Sequence, residues 1–142
     1  MIHFYNRSRE VVMELYDFSS DNEQEQGIKF FANVSYAFYK ASRHIEDYKV
    51  YFESFLKELE LLYDNKTKAA QFIPIERQIE IYFKQLEFGH IAVSIKLNYL
   101  NFDNFTHNMY ESMLVINYEI DQSFLPELIG EISAVLANVN LK

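Results

Sequence analysis

The sequence predicts an α+β fold in which two helices cover one face of a mainly antiparallel sheet of about five to six strands. Several segments alternate apolar and polar residues, two others repeat apolar residues at helical spacing, and the strand segments follow one another too closely for helical crossovers. Together these features predict a two-layer sandwich. The 142 residues include only three glycines and two prolines, which predicts a single domain over residues 1–142.

The strands are predicted from apolar residues at every second position, which share one face of a sheet. An early strand covers residues 10–18, and the clearest alternation runs from Ile28 to Phe38. The inward-facing residues of three later strands are Ile79, Ile81 and Phe83; Ile91, Val93, Ile95, Leu97 and Tyr99; and Leu114, Ile116, Tyr118 and Ile120. Two polar stretches, residues 19–26 and 101–108, are predicted to be loops.

Two segments have the i, i+3, i+4, i+7 spacing of an amphipathic helix. The apolar stripe of the first consists of Tyr48, Tyr51, Phe52, Phe55, Leu56, Leu59, Leu62 and Tyr63, and that of the second of Leu125, Leu128, Ile129, Ile132, Leu136 and Val139. Asp121 or Ser123 is predicted to cap the second helix, and Pro126 fits its first turn. A glycine inside a helix costs about 1 kcal/mol relative to alanine, so Gly130 predicts close packing at that point.

Because both helices pack on one face, the other face of the sheet is predicted to be open. Aromatic and apolar side chains among polar neighbours are typical of a protein interface. The candidate partner-binding residues on this face are Phe31, Tyr39, Tyr82, Lys84, Lys96 and Val115. The alternative is an ordinary solvated face with cross-strand pairs.

The charge of the chain limits its partners. Thirteen basic and twenty-one acidic residues give a net charge of −8, which argues against binding the phosphate backbone of nucleic acid. Acidic residues crowd the stretch 21–25 and the polar side of the first helix, where Glu53, Glu58, Glu60 and Asp64 lie. These charges either keep the protein soluble or steer a basic protein partner toward it.

No motif for catalysis, a cofactor or a metal is present. The chain has no cysteine, its three glycines stand alone, and it lacks a Gly-x-Ser-x-Gly elbow. Its four histidines are not at metal-binding spacing; Asp103 with His107 is among the nearest approximations. No apolar run reaches the roughly 18 residues of a membrane span, and residues 1–7 lack the apolar stretch of a signal peptide, so the expected location is the cytoplasm.

Two segments resemble the WapI-like immunity proteins. In the first, the short apolar strand 70–76 leads into the alternating strand 79–83, then to Gly89 and a strand that opens with His90 and Ile91. In the second, the last strand runs through Asp121-Gln122-Ser123-Phe124-Leu125-Pro126 into the final helix. The resemblance spans residues 27–139.

This resemblance implies a small cytoplasmic bacterial protein, without catalytic residues, that binds and neutralises a secreted polymorphic toxin, often a nuclease. It implies a toxin-binding surface but does not place it. The predicted partner is therefore a cognate toxin domain, and the acidic charge predicts that this domain is basic. The alternative is a structural module that forms a homodimer or larger oligomer through its open sheet face, and an enzyme acting on a small molecule is the third reading.

Overall fold

The computed structural model describes residues 1–20 and 26–140, and this part of the chain forms eight strands and two α-helices. The strands are β1 (Ile2–Tyr5), β2 (Val11–Ser20), β3 (Gly27–Tyr36), β4 (Tyr39–Tyr48), β5 (Ala69–Phe72), β6 (Ile79–Gln85), β7 (His90–Phe102) and β8 (Met109–Asp121). The helices are α1 (Lys49–Tyr63), between β4 and β5, and α2 (Leu125–Asn140), at the end of the chain.

The strands form two antiparallel sheets, one in the order β1-β2-β3-β4 and the other in the order β5-β6-β7-β8. The predicted α+β class is confirmed. The number of strands is higher than the predicted five to six, and they belong to two sheets instead of one. The two additional strands are β1, which is only four residues long, and β4, which shows no alternation of apolar and polar residues in sequence and buries only Ile45 and Asp47.

The inward-facing residues of most strands are as predicted. Ile28, Phe30, Ala32 and Val34 of β3 are fully buried, and the predicted inner residues of β6 and β8 are buried or half-buried. Two residues that were predicted to face inward are exposed. Phe38 is 99% exposed because β3 ends at Tyr36 and Ala37 turns the chain with a φ of 53°. Tyr99 is exposed because it lies in β7 beyond the residues that pair with β6.

The core lies between the two sheets and the helices, where one cluster of buried apolar side chains connects them. Phe52 of α1 lies 5.2 Å from Phe30 of the first sheet and 4.4 Å from Phe72 of the second, measured between ring centroids. The predicted stripes of both helices are confirmed at their central positions. Tyr63 is the exception, since it lies in the last turn of α1 and is exposed.

Other local predictions have different outcomes. Asp121 precedes a short 3-10 turn, Gln122–Phe124, without a capping hydrogen bond from its side chain. Gly130 is exposed and a Cβ built there meets nothing within 4 Å, so the predicted close packing is wrong. The predicted loop 101–108 is shorter, since β7 continues to Phe102. The acidic stretch 21–25 lies outside the described residues. Of the described helices, none is long and apolar enough to cross a membrane.

Candidate protein-binding surface

The outer face of the second sheet carries no helix, because both helices pack on the opposite side. We call this outer surface of β6, β7 and β8 the open face. Strand register arranges its side chains in rows across the three strands: Lys84, Ala92 and Glu119; Tyr82, Ser94 and Asn117; and Glu80, Lys96 and Val115. The small side chains Ala92 and Ser94 leave a shallow hollow in the centre of this face.

A hydrogen-bonded cluster around Glu80 fixes one part of the open face. Tyr82 donates its hydroxyl to Glu80 Oε1 at 2.8 Å, and Asn98 donates its side-chain amide to Glu80 Oε2 at 3.0 Å. The Arg77 guanidinium lies 3.3 Å from Oε1. Glu80 is therefore only 6% exposed, although the sequence predicts an outward-facing residue in the row of Lys96.

Burial by itself raises the pKa of Glu80, but its hydrogen bonds and the charges of Arg77 and Lys96 outweigh that effect, so its pKa lies below the usual value. Burial and the adjacent Glu80 raise the pKa of Tyr82. The Lys96 ammonium lies 5.3 Å from the centroid of the Tyr82 ring, a cation–π distance. The cluster thus holds Tyr82 and Lys96 in fixed, half-buried positions.

The structure brings four of the six sequence-predicted binding residues together. Tyr82, Lys84, Lys96 and Val115 share the open face. Phe31 and Tyr39 lie in the first sheet, so the expectation that all six share one face is wrong. The predicted parity holds within the second sheet, but in the first sheet the turn at residues 37–38 places Tyr39 on the opposite side from Phe31. The alternation also does not show that the strands divide between two sheets.

The two residues of the first sheet have their own surroundings. Phe31 stacks on Tyr16 at 5.7 Å and lies 4.9 Å from His44, which leaves its side chain partly covered. Tyr39 begins β4 just after the exposed turn at Phe38. Tyr39 pairs with Tyr36, which has the parity of the buried residues of β3, whereas Phe31 pairs with His44 on the outer side. The two side chains therefore lie on opposite sides of the first sheet and do not form a common patch.

A protruding hairpin was missed by the sequence reasoning. Strand β6 pairs with β7 only as far as Leu97, whereas β7 and β8 stay paired to Phe102 and Met109. We call residues 99–112 the arm. The sequence indicates the arm through the aromatic and aliphatic residues at its start and end. Because the stretch 101–108 between them is mostly polar, it was predicted to be a loop.

The acidic residues are unevenly distributed. Residues 97–141 contain no lysine or arginine but six carboxylates: Asp103, Glu111, Glu119, Asp121, Glu127 and Glu131. Four of these lie beside basic residues of the N-terminal segment. Arg7 is within 3.9 Å of Glu119 and Asp121, Arg9 is 3.2 Å from Glu127, and His3 is 2.9 Å from Glu131.

The exposed carboxylates Glu53 and Glu60 of α1, and Asp64 directly after its last turn, face away from the core as predicted. Glu58 differs, because its Oε2 accepts a hydrogen bond from the backbone N–H of Gln71 at 2.9 Å and so ties α1 to β5. The acidic side of α1 therefore combines free surface charge with one structural carboxylate.

Within residues 1–20 and 26–140, no group of three or more histidine, aspartate or glutamate side chains is placed to hold a metal ion. The residues nearest to metal-binding spacing in the sequence instead make contacts within the fold. Asp103 Oδ1 accepts the backbone N–H groups of Phe105 and Thr106, at 2.8 and 3.2 Å, which closes the tip of the arm. His90 lies beside Arg7 and 3.4 Å from Asp121.

These features define an acidic α+β protein with an open sheet face and a protruding apolar hairpin. Such features are typical of a protein-binding module. Residues 49–140 match the family model described as the Immunity protein WapI-like family. The match covers well over half of the chain, and the chain belongs to this family. No curated protein and no solved structure matches it.

Family membership confirms the resemblance and gives the chain a toxin-neutralising role in general, in a family that is generally non-catalytic. The matched residues begin at α1 and include the whole second sheet and α2. The first sheet precedes the match. The family features are therefore those of the unit that carries the open face and the arm.

Proposed function

We propose that this protein binds a cognate basic toxin domain stoichiometrically and blocks it in the cytoplasm of the bacterium that produces the toxin. The observation that carries this proposal is the match to an immunity protein family in a chain with a net charge of −8. The acidic charge of this protein favours a nuclease as the toxin, because a protein that binds the phosphates of nucleic acid presents a basic surface. An acidic inhibitor can cover such a surface directly.

Charge supports this proposal through the rate of association. Complementary charges raise the rate at which two proteins meet, and salt screens the effect. The exposed carboxylates of α1 lie on one side of the helix, where they add to the field that a basic toxin meets. Neutralisation then depends on contacts that hold the complex together once it has formed.

For those contacts we propose the open face, where Tyr82, Lys84, Lys96 and Val115 lie together. The aromatic ring of Tyr82 is positioned by Glu80 and Lys96, so little conformational freedom is lost when a partner packs on it. Glu80 and Glu119 lie in the rows of Lys96 and Lys84 but already pair with Arg77 and Arg7, so the open face contributes mainly aromatic and apolar contact, and the attraction for a basic partner comes from the carboxylates of α1. The long stems of the two lysines can pack against a partner while their charged ends stay in water.

The decisive experiment is co-expression of this protein with the C-terminal toxin domain encoded by the gene immediately upstream. Growth should be rescued, and the purified proteins should form a one-to-one complex. Absence of both results would refute the proposed function.

The role of charge is tested by association kinetics against that toxin domain. Glu60→Lys should lower the association rate severalfold at low salt, and the difference should shrink as salt is added. Lys57→Glu on the same helix is the matched control of opposite sign and should raise the rate. Equal rates for the two variants would remove the steering argument.

A second candidate is self-association, because within the described part of the chain β8 is an edge strand with no partner on its outer side, and its thirteen residues include no lysine or proline. Such an edge can pair with another copy. The net charge of −8 opposes the contact of two copies. Light scattering coupled to size exclusion over about a hundredfold range of protein concentration separates a monomer from a dimer.

A further inference from the structure

The arm extends the second sheet beyond its third strand. From residue 99 onward, β7 pairs with β8 on one side, and none of the strands in residues 1–20 and 26–140 pairs with it on the other. At about 3.4 Å per residue, the four residues 99–102 extend about 13 Å past β6 before the loop begins. The arm is a two-stranded projection at one end of the open face.

The arm has a defined shape without a partner. The backbone N–H of Asp103 donates to the carbonyl of Asn108 at 2.9 Å, and that of His107 donates to the carbonyl of Asp103 at 2.9 Å. The Arg43 guanidinium packs over Tyr99 at 5.4 Å and supports the base of the arm. A hairpin ordered in this way loses little entropy on binding.

Exposed apolar side chains concentrate on this projection. Of the eighteen exposed large hydrophobic residues of the described chain, six lie on the arm, and Phe105 at its tip is 96% exposed. Two more, Met113 and Val115, continue from the base of the arm onto the open face, which makes eight between positions 99 and 115. Five of them follow the open-face side of the two strands, and we call these the arm stripe: Leu100, Phe102, Met109, Met113 and Val115. A contiguous apolar stripe with methionine and an aromatic residue is typical of a protein contact.

Two acidic side chains lie within or beside this stripe. Glu111 lies directly opposite Leu100 in the strand register, so a carboxylate sits in the middle of the stripe. Glu76 lines the same surface groove as Leu100, Glu111 and Met113. Among residues 1–20 and 26–140, no basic side chain comes within 4 Å of the Glu76 or Glu111 carboxylate.

Two arginines also line this groove, and one of them has a carboxylate partner. Arg77 pairs with Glu80, and Arg43 covers Tyr99. The groove therefore combines apolar walls with three carboxylates and two guanidinium groups, and the two carboxylates without a basic partner in the described part of the chain give it a net negative charge. This combination suits a lysine or arginine, whose aliphatic stem packs on apolar surface while its charged head reaches a carboxylate.

We propose that the arm stripe is the main docking surface for the toxin domain, and that a basic side chain of the toxin enters the groove between Glu76 and Glu111. This inference rests on the proposed function and extends the open-face contact from Val115 to the tip of the arm. Charge favours this occupant over a second copy, because two copies would bring Glu111 and the acidic C-terminal third of each chain together.

The test uses binding of the upstream-encoded toxin domain to the wild-type protein and to arm variants. The double variant Leu100→Thr with Met113→Thr removes apolar surface while keeping strand-forming residues and charge. It should weaken binding by at least about tenfold, mainly through faster dissociation. The matched control is Val11→Thr, an exposed apolar residue of a strand in the first sheet, which should leave binding unchanged.

The charge of the groove is tested separately. Glu111→Gln should weaken binding by about threefold to tenfold with an increase in the dissociation rate. Glu60→Gln removes one exposed carboxylate from α1 and should change only the association rate. Because Glu111 is exposed, its variant should fold normally, which keeps the test valid if the double variant proves unstable.

Hydrogen exchange supplies a readout that needs no mutation. Amides of residues 99–112 should exchange more slowly in the complex than in the free protein. Protection confined to α1 or the first sheet would overturn the arm proposal, as would unchanged binding by both arm variants.

The remaining outcomes separate the two proposals. If the wild-type protein neither binds the toxin domain nor rescues growth, the proposed function fails. If it binds and the arm variants bind equally well, only the arm proposal fails. A dimer of the wild-type protein that the double variant converts to a monomer, with toxin binding unchanged, would also overturn it by showing that a second copy occupies the stripe.

Discussion

Asp47 is the buried ionisable group with the clearest consequence for stability. It lies in β4 on the same side as Ile45 and is 7% exposed. The backbone N–H groups of Tyr48 and Ile75 favour its charged form in part, but neither carboxylate oxygen has a hydrogen bond of good geometry. Burial, with a smaller contribution from Glu76, raises the pKa of Asp47 from 3.8 to about 6.

The sign of the pH effect follows from this pKa. Between pH 4 and 6 the folded protein holds the Asp47 proton more tightly than the unfolded chain, so stability from this group is present at low pH and is lost as the pH rises through 6. Each pKa unit corresponds to about 1.4 kcal/mol, so the ionised carboxylate destabilises the fold by about 3 kcal/mol above this window.

Asp47→Asn removes the charge and keeps the shape. The buried amide has its own unmet hydrogen bonds, which cost about 1–3 kcal/mol at any pH. The difference between variant and wild type should therefore shift in favour of the variant by about 2–3 kcal/mol between pH 4 and pH 7.5. Urea denaturation at the two pH values measures this shift directly.

The control is Asp64→Asn, the same exchange at an exposed position that follows α1. It should change stability little at either pH, since a surface position keeps its hydration. A difference between Asp47→Asn and wild type that is independent of pH, or that favours wild type more strongly at pH 7.5, would refute the reasoning. It would mean that the carboxylate is stabilised by a partner in the folded protein.

Three further predictions concern the core, the open face and metals. Phe55→Ala should lower the free energy of unfolding by about 3–5 kcal/mol, because the ring is fully buried between Phe72 and Phe83. Glu53→Ala on the exposed side of α1 should lower it by less than about 0.5 kcal/mol. Equal shifts of the two variants in urea denaturation would contradict the assignment of the buried side of α1. Glu80→Gln should cost about 1–3 kcal/mol at pH 7. The pKa of Glu80 is lowered in the folded protein, so the stability that its carboxylate contributes is present above pH 4.5 and is lost as the pH falls through the folded pKa. If the variant were destabilised by the same amount at about pH 3 as at pH 7, the role of charge would be contradicted. Addition of a chelator should leave the melting temperature unchanged, and a clear decrease would reveal a bound metal.

Local periodicity accounts for the elements that were predicted correctly. A strand that buries one face must place apolar residues at every second position, and β3, β6, β7 and β8 do so over most of their length. Helix α1 buries Phe52, Phe55, Leu59 and Leu62 at the spacing that the sequence shows. These features depend only on neighbours along the chain, and the sequence contains them in full.

Strand β4 shows where this reasoning stops. Hydrogen bonds to β3 over ten residue pairs make it a strand, although its own residues are mostly polar. The same applies to Glu80, which reads as a surface acid but is buried because Tyr82 and Asn98 supply hydrogen bonds from positions two and eighteen residues away. Both outcomes depend on partners that a local pattern does not contain.

The sequence by itself determined the α+β class, the central residues of both helical stripes, the acidic charge and the resemblance to the WapI-like immunity proteins. Tertiary structure decided how these parts meet. It divided the strands between two sheets, separated Phe31 and Tyr39 from Tyr82 and Val115, and paired β7 with β8 beyond the end of β6 to form the arm. The physical reason is that periodicity specifies which side of a strand is buried, whereas the choice of neighbouring strand is made by long-range pairing, and that pairing places the exposed residues on a common surface.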